Sequence, residues 1–357
     1  MRTVHAVVPD GIDDPQRPSG GNRYDRRLLD ELAILGWTVR EHPVLGAWPH
    51  PDDRALAALH AAMAQIADRT PVLLDGLIAS TAPEILAPQA RRVRQVVLVH
   101  MPLGHRPGPA EADAVRHREQ AVLHAASAVV TTSAWTQRRL SELYAVPAER
   151  IRVAPPGVDA AAPAAGSQSG VGGLLCVAAV TYGKGHDVLV QALSGLADLP
   201  WRCRCVGSLD RDPCFADAVR RQARDAGLRQ RITFVGPLTG AALDAAYAAS
   251  DLMVLPSRAE TYGMVITEAL ARGLPVIASE VGGTSESLGH GQADTLRPGI
   301  LIAPDDPGAL RGALHAWLTD AALRARLRQA ARERRAGLTG WAATAAIVAR
   351  ALDGPAR

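Results

Sequence analysis

The sequence is short of several features, and each shortage excludes a class of protein. Its 357 residues include four cysteines, with no C-x-x-C pair and no histidines at zinc spacing beside them, which argues against a disulfide framework or a zinc module. No apolar run approaches the roughly 18 residues that a membrane-spanning helix needs. The first residues run straight into a strand pattern without the features of a secretory signal. We therefore expect a cytoplasmic chain with no transmembrane segment, although peripheral membrane contact through an arginine-rich face stays open.

Net charge and lysine are also scarce. With 39 basic and 36 acidic residues the formal net charge is only +3, which argues against nucleic acid as the main partner and fits an anionic small substrate equally well. Of the 39 lysine and arginine residues, only Lys184 is a lysine. A lysine that persists in such a chain is a candidate for a role that needs a compact ammonium charge, the alternative being chance survival.

What is present indicates a two-domain α/β protein. Hydrophobic residues make up 48% of the chain and charged residues 21%, so a sizeable core can form. Short apolar runs, such as Gln95–His100 and Leu174–Val180, alternate with helical patterns, which is typical of parallel sheets flanked by helices. A segment rich in Pro, Ala, Gly and Ser interrupts the alternation. We predict two Rossmann-like domains whose parallel sheets face a cleft: an N-terminal domain (1–160), a linker (161–172), a C-terminal domain (173–336) and a final helix (337–357) that crosses back to the first domain.

The clearest motif is SRAETYGMVITEALARGLPVIAS, at residues 257–279, directly after a predicted strand. The backbone amides of Gly263 and the next two residues would form a helix N-terminus, which favours an anion such as a diphosphate. Glu260 in the loop and Glu268 on the helix could accept hydrogen bonds from sugar and ribose hydroxyls. The alternative interpretation is an ordinary helix with acidic residues favoured near its N-terminus by the dipole.

A second motif, TYGKGHDVLVQAL at residues 181–193, follows the first strand of the predicted C-terminal domain. Glycines flank Lys184, so its ammonium could reach a phosphate, although a simple turn would explain the same residues. Both motifs follow strands of one domain, and ligands of parallel sheets bind at the carboxyl ends of strands. We therefore expect the two motifs to converge on one diphosphate. The D-x-D pattern at Asp210–Asp212 is interpreted as helix capping, and no metal site is predicted.

Together these segments resemble the retaining glycosyltransferases of family four, which have the GT-B fold. The resemblance covers nearly the whole chain and rests on Glu260 and Glu268 with Gly263 between them, Lys184-Gly185, the VGG run at 281–283 followed by Glu286, and PPGVD at 155–159. It implies a metal-independent enzyme without a cofactor that uses a UDP- or GDP-linked sugar as co-substrate. A small-molecule or lipid-linked acceptor fits the sequence, and so does either a monomer or a homodimer.

The resemblance also implies roles for single residues. Lys184 would bind the leaving diphosphate, Glu260 the donor sugar and Glu268 the ribose. His100, at the end of a strand, would lie near the reacting sugar, although a structural histidine is the alternative. A glycine-rich loop at Gly20-Gly21 would close over the donor phosphates, unless it is only a flexible loop before a helix. The implied catalytic residues are His100, Lys184 and Glu260, and the implied donor-binding residues are Gly20, Gly21, Lys184, Val235, Gly236, Pro237, Ser257, Arg258, Glu260, Thr261, Tyr262, Gly263, Met264, Val265 and Glu268.

One position departs from the family pattern. An arginine usually precedes the lysine at the end of the strand, and here Ala179 takes its place, which removes a charge-assisted partner of the diphosphate. Arg258 is a hypothetical substitute.

Other functions remain open at this point. They are a nucleotide-sugar epimerase or hydrolase on the same fold and a noncatalytic sugar-nucleotide-binding protein. A nicotinamide dehydrogenase is disfavoured because no G-x-G-x-x-G follows the first strand.

Overall fold

The computed structural model of the chain describes residues 2–15, 18–105, 112–168, 170, 172–291 and 297–354. Contacts divide the chain into two compact units. The first contains residues 19–157 and 340–357 with the amino-terminal strand, and the second contains residues 158–339. Each unit has one six-stranded sheet, parallel throughout, with helices packed on it, so the prediction of two Rossmann-like α/β domains is confirmed.

The first unit is built on a sheet whose central strands, Pro71–Asp75 and Arg94–Val99, are buried on both faces. Its elements are β1 (Arg2–Pro9), α1 (Gly20–Ile34), β2 (Trp37–Val44), α2 (Asp53–Ala64), β3 (Pro71–Asp75), α3 (Gly76–Ala79), α4 (Pro83–Gln89), β4 (Arg94–Val99), α5 (Ala112–Ala125), β5 (Ala128–Thr131), α6 (Ala134–Tyr144) and β6 (Ile151–Val153). Continuous apolar runs such as VVLV in β4 are expected where helices cover both faces of a parallel sheet. The strand order is β2-β1-β3-β4-β5-β6, so the direction of winding reverses between β1 and β3.

The second unit has the strand order of the doubly wound dinucleotide-binding fold. Its elements are β7 (Gly173–Val177), α7 (His186–Ser194), β8 (Arg202–Val206), α8 (Pro213–Asp225), β9 (Ile232–Phe234), α9 (Gly240–Ala248), β10 (Leu252–Leu255), α10 (Met264–Ala271), β11 (Val276–Ser279), α11 (Thr284–Leu288), β12 (Gly299–Ile302), α12 (Pro307–Thr319) and α13 (Ala321–Ala336). The order is β12-β11-β10-β7-β8-β9, so the winding reverses between β7 and β10. Ligands of open parallel sheets bind outside the carboxyl ends of the strands at such a reversal.

The last helix, α14 (Trp341–Asp353), packs in the first unit. The ring of Trp341 meets the ring of Tyr24 on α1 edge to face, with 5.5 Å between centroids, and Thr344 Oγ1 donates a hydrogen bond to the carbonyl of Pro155 at 2.7 Å. The prediction that the final helix returns to the first domain is therefore confirmed. Among the described residues, no helix combines the length and the apolar character that crossing a bilayer requires.

Polar side chains at the helix starts explain where several helices begin. Ser19 Oγ accepts a hydrogen bond from the amide of Asn22 at 3.0 Å and caps α1, and the carboxylate of Asp212 accepts one from the amide of Phe215 at 3.2 Å and caps α8. Such caps satisfy amides that have no partner within the helix. The interpretation of Asp212 as a cap is confirmed.

The structure also corrects some predicted bounds. The strand predicted to reach Val180 ends at Val177, because the chain bends there toward a 3₁₀ turn at Tyr182–Lys184. The short helices α3, α4 and α11 were not predicted, since four to seven residues are too few to show a helical period. Part of the segment predicted as a linker is hydrogen-bonded within the second unit, for example from the amide of Ala164 to the carbonyl of Arg272 at 2.9 Å.

Candidate functional site

The two motifs of the second unit lie at the reversal point of its sheet. The turn that carries Lys184 follows β7, and the loop that carries Glu260 follows β10, the strand hydrogen-bonded to β7. Both segments therefore leave the carboxyl edge of the sheet side by side. The sequence predicted that the motifs converge, and the structure brings their side chains into contact.

The contact is an ion pair between the chain's single lysine and the first glutamate. Lys184 Nζ donates a hydrogen bond to Glu260 Oε1 at 2.5 Å, and Ser257 Oγ donates to the same oxygen at 2.9 Å. The side chain of Lys184 is 32% exposed and that of Glu260 is 11% exposed. Solvent therefore reaches the ammonium, and an anion arriving there would compete with Glu260 for it.

Gly185 fixes the Lys184 turn against the neighbouring loop. It has φ +68°, and a Cβ atom at this position would lie 2.0 Å from the carbonyl oxygen of Pro256. Only glycine permits both the left-handed backbone and this close approach. Packing therefore requires the second glycine of the G-K-G motif. It does not require the first, because a Cβ atom at Gly183 would meet no atom within 4 Å.

Arg258 holds the same turn in place through its backbone amide and its side chain. Its backbone amide donates to the carbonyl of Gly183 at 2.8 Å, and its Nη1 donates to the carbonyl of Tyr182 at 2.8 Å. The guanidinium also lies over the ring of Tyr182, 4.1 Å from the centroid. Arg258 thus holds in place the turn that presents Lys184.

The guanidinium of Arg258 is itself engaged by carboxylates. It donates hydrogen bonds to both carboxylate oxygens of Asp187 at 2.8 Å and to Oδ1 of Asp305 at 2.7 and 3.0 Å, and the bonds to Asp187 raise the pKa of Arg258. The residue is only 9% exposed. This geometry opposes the hypothesis that Arg258 replaces the arginine missing at Ala179, because its donors already bind protein groups.

Helix α10 begins with the geometry expected of an anion-binding N-terminus. Gly263 precedes it with φ +85°, and the amides of Met264 and Val265 lie in its first turn, where helical amides have no intrahelical acceptor. Glu268 lies on the same helix and is 6% exposed, and its Oε2 accepts a hydrogen bond from the hydroxyl of Tyr247 at 2.9 Å. Tyr247 therefore fixes the orientation of the second glutamate.

The remaining predicted donor residues of this unit lie around the same edge of the sheet. The VGG run supports the Glu260 loop, because a Cβ atom at Gly282 would lie 1.5 Å from the carbonyl oxygen of Glu260. The segment Val235–Pro237 follows β9, and the carbonyl of Gly236 accepts a hydrogen bond from the amide of Gly207 at 2.9 Å. Thr261, in the Glu260 loop, is partly buried. The next residue, Tyr262, is buried, and this burial raises the pKa of its hydroxyl to about 12.

In the first unit, the structure changes the interpretation of Gly20-Gly21. These glycines form the first turn of α1 and not a loop, because Ser19 caps the helix directly before them. A Cβ atom at Gly21 would lie 3.4 Å from Cδ2 of His100, an ordinary van der Waals distance, so the first turn of α1 packs beside the histidine without requiring glycine at this position.

The sequence predicted His100 as the last residue of a strand, and it lies directly after β4, which ends at Val99. Two aspartates that the sequence analysis missed lie beside it. Its Nε2 lies 2.7 Å from Asp25 Oδ1 and 3.7 Å from Asp75 Oδ2. Asp75 ends β3, so its place at the carboxyl end of a buried strand could have drawn attention to it. Asp25 lies within a helix, where nothing in the pattern marks it.

This trio is the one group of His, Cys, Asp and Glu side chains within the described ranges whose ligand atoms come close enough for a metal ion. The 2.7 Å separation of His100 Nε2 and Asp25 Oδ1 is that of a charge-assisted hydrogen bond. Two ligand atoms bound to one ion stand about 3 Å or more apart, since each lies about 2.1 Å from it. The arrangement is therefore a hydrogen-bonded cluster.

Family models match both units. Residues 4–162 match the model described as Glycosyltransferase Family 4, and residues 164–334 match the one described as Glycosyl transferases group 1. This chain belongs to glycosyltransferase family 4. The resemblance inferred from the motifs is thereby confirmed.

Curated relatives are similar over part of their length. The D-inositol 3-phosphate glycosyltransferase of Pseudarthrobacter chlorophenolicus is 32% identical over 258 residues, which is 68% of this chain and 59% of the relative. The protein of the same name from Corynebacterium glutamicum is 35% identical over 167 residues, 46% of this chain and 38% of the relative. These alignments thus span less than two thirds of the relatives.

Solved structures share the fold over nearly the whole chain. Sucrose-phosphate synthase from Thermosynechococcus elongatus has a TM-score of 0.80 at 22% identity and covers 98% of both chains. Anabaena HepE in complex with UDP-glucose has a TM-score of 0.76 at 18% identity and covers 99% of this chain and 100% of its own. The fold of the family 4 chain is therefore the GT-B architecture that the resemblance implied.

Proposed function

We propose that this family 4 protein transfers a sugar from a nucleoside diphosphate sugar to an acceptor hydroxyl or another nucleophile. The observation that carries the proposal is the meeting of Lys184, Glu260 and the N-terminus of α10 at the reversal point of one sheet. An ammonium group and free helical amides suit a diphosphate, and a carboxylate suits sugar hydroxyls. A sugar joined to a diphosphate needs both kinds of group side by side.

The proposed roles follow from the contacts. When the donor binds, the diphosphate replaces Glu260 as the partner of the Lys184 ammonium. The Glu260 carboxylate is then available to the hydroxyls of the donor sugar. The amides of Gly263, Met264 and Val265 take up further charge, and Glu268, oriented by Tyr247, binds the ribose. Because these groups neutralise the leaving diphosphate, we propose that no metal and no cofactor are needed. Unchanged activity after treatment with a chelator is the expected result, and loss that Mg²⁺ restores would overturn this point.

We propose that the anomeric configuration is retained. The acceptor attacks from the face that the diphosphate leaves, the leaving phosphate accepts the proton, and no protein nucleophile is assigned. Membership of family 4 and the implied family mechanism support this step. Proton NMR of the product gives the anomeric coupling, and an inverted product would refute it.

Ligand-induced stabilisation tests the donor site without knowledge of the acceptor. A panel of UDP, GDP and their sugars is screened by thermal shift against the unmodified protein, Lys184→Ala and Arg220→Ala. Arg220 is a partly exposed cation on α8 of the same unit, so its variant controls for the loss of one positive charge. We expect one nucleotide series to raise Tm, and Lys184→Ala alone to abolish the shift. An equal shift in Lys184→Ala would overturn the assignment, and so would the absence of any shift.

The acceptor is then sought with the donor identified. Since the curated relatives are named for D-inositol 3-phosphate, this compound and unphosphorylated inositol come first in the panel. We also propose a cytoplasmic location, which the four free cysteines support because reducing compartments keep thiols unpaired.

A further inference from the structure

Three titratable side chains meet at the carboxyl edge of the first unit's sheet, at its own reversal point between β1 and β3. Asp25 and Asp75 are almost fully buried, with side chains 4% and 3% exposed, whereas 17% of the His100 side chain is exposed. Both carboxylates lie on the Nε2 side of the imidazole. The opposite edge of the ring is therefore the one that can meet a ligand.

The ring of His100 is held in this orientation by packing. Tyr24 contacts it edge to face, with 5.1 Å between centroids, and Gly21 lies beside its Cδ2 edge, where a Cβ atom would stand 3.4 Å away. Within the described part of the chain, Nδ1 of His100 has no hydrogen-bond partner. It is also not one of the buried polar atoms, so a ligand can reach it. Nδ1 is thus the polar atom that the ring offers outward.

The charges of the cluster favour a protonated ring. Burial and the negative charge of Asp25 raise the pKa of Asp75 to about 8, so Asp75 keeps its proton at neutral pH. Burial lowers the pKa of His100, but the negative charge of Asp25 and its hydrogen bond to the ring raise it, and the net effect is a raised pKa. The titratable groups facing the ring are Asp25 and Tyr24 on α1 and Asp75 at the end of β3. One carboxylate, one imidazolium and one neutral carboxyl group leave the buried cluster without net charge.

We propose that Asp25 and Asp75 are positioning residues that hold His100 as an imidazolium, with its Nδ1–H directed at a hydroxyl or other oxygen atom of the substrate. His100 then acts as a hydrogen-bond donor and a positive charge, and it does not act as a general base. The inference rests on the proposed function for the identity of the substrate, but the charge state of His100 is measured independently of it.

Two isosteric substitutions separate the roles of the carboxyl groups. Asp25→Asn removes the charge that holds the imidazolium, so we expect kcat/KM to fall about 10- to 100-fold, by analogy with the loss of a group that orients a metal-binding histidine. Asp75→Asn mimics the neutral carboxylic acid. Its side-chain oxygen can accept a hydrogen bond from the backbone N–H of Leu77, as Asp75 Oδ1 does at 2.7 Å, and its side-chain NH₂ group can donate one to Asp25. We expect Asp75→Asn to retain most of the activity. A loss in Asp75→Asn as large as that in Asp25→Asn would overturn the assignment.

The pH dependence adds a readout that a merely structural role would not change. The activity of Asp25→Asn should recover as pH falls and His100 regains its proton, whereas His100→Gln should stay low and independent of pH. Activity of Asp25→Asn that rises with pH would indicate a general base and refute the proposal. Melting curves and the Tm shift with nucleotide confirm that each variant folds, and Asp25→Glu provides a second variant if Asp25→Asn does not.

Imidazole ¹⁵N NMR gives the charge state directly, with His100 assigned by its absence in His100→Gln. We expect the titration midpoint of His100 to lie above its ordinary value of 6.5 in the unmodified protein and to move to lower pH in Asp25→Asn. The same midpoint in both proteins would overturn the inference. If the midpoints shift as expected but no donor is turned over, the cluster stands and the proposed transferase function fails.

Discussion

Gly185→Ala tests whether the Lys184 turn depends on the close approach of two loops. The new methyl group would lie 2.0 Å from the Pro256 carbonyl oxygen, and the backbone would keep φ +68°. The left-handed conformation costs a non-glycine residue about 1–2 kcal/mol. Relief of the overlap costs about 1–3 kcal/mol more. We therefore expect the free energy of unfolding of the second unit to fall by about 2–5 kcal/mol.

Differential scanning calorimetry measures the effect, with Gly183→Ala as the matched control. For a unit of this size each kcal/mol corresponds to about 2–4 °C, so Tm should fall by about 4–20 °C. Gly183→Ala should change Tm by less than about 2 °C, because its methyl group meets no atom within 4 Å. Gly185→Ala should also lose the nucleotide-induced Tm shift, since the turn moves Lys184 away from Glu260. If the two alanine variants melt and bind alike, the packing argument for the second glycine is wrong.

Three further predictions follow from the contacts. Arg258→Ala should lower the free energy of unfolding by about 1–3 kcal/mol and weaken nucleotide binding by loosening the turn that carries Lys184; an unchanged Kd would show that the turn holds without it. Gly282→Ala should lower kcat/KM more than about tenfold because its methyl group overlaps the loop that follows β10, and Gly312→Ala, whose methyl group meets no atom within 4 Å, should not. Burial lowers the pKa values of His5 and His42, whose rings stack in the first unit, so the fold favours their neutral forms and their contribution to its stability should fall as pH drops below 6.5. His42→Gln should flatten this slope in melts from pH 7 to pH 5, and an unchanged slope would refute the assignment.

Much of the fold follows from local features of the sequence. The apolar runs Gln95–His100 and Leu174–Val180 correspond to the strands Arg94–Val99 and Gly173–Val177 within three residues at each end, because central strands of a covered parallel sheet are buried on both faces. The motifs around Lys184 and Glu260 were identified for a similar reason. Each follows a strand, and strand ends are where such a sheet binds ligands.

The partners of charged side chains could not be predicted in this way. Arg258 is of a residue type that commonly binds phosphate, yet it pairs with Asp187, 71 residues away, and with Asp305. Asp25 and His100 are 75 residues apart, and no periodicity links a helix residue to a strand end. Their contact depends on β3 lying between β1 and β4 in the sheet.

The sequence by itself determined the residue types, the alternation of strands and helices, and the glycines at the Lys184 turn, because these depend on neighbours along the chain. The tertiary structure alone decided which strand ends lie side by side, and therefore which charges meet. The pairing of Lys184 with Glu260 and the enclosure of His100 by two buried aspartates are consequences of strand order, since strand order places distant residues together and removes them from water.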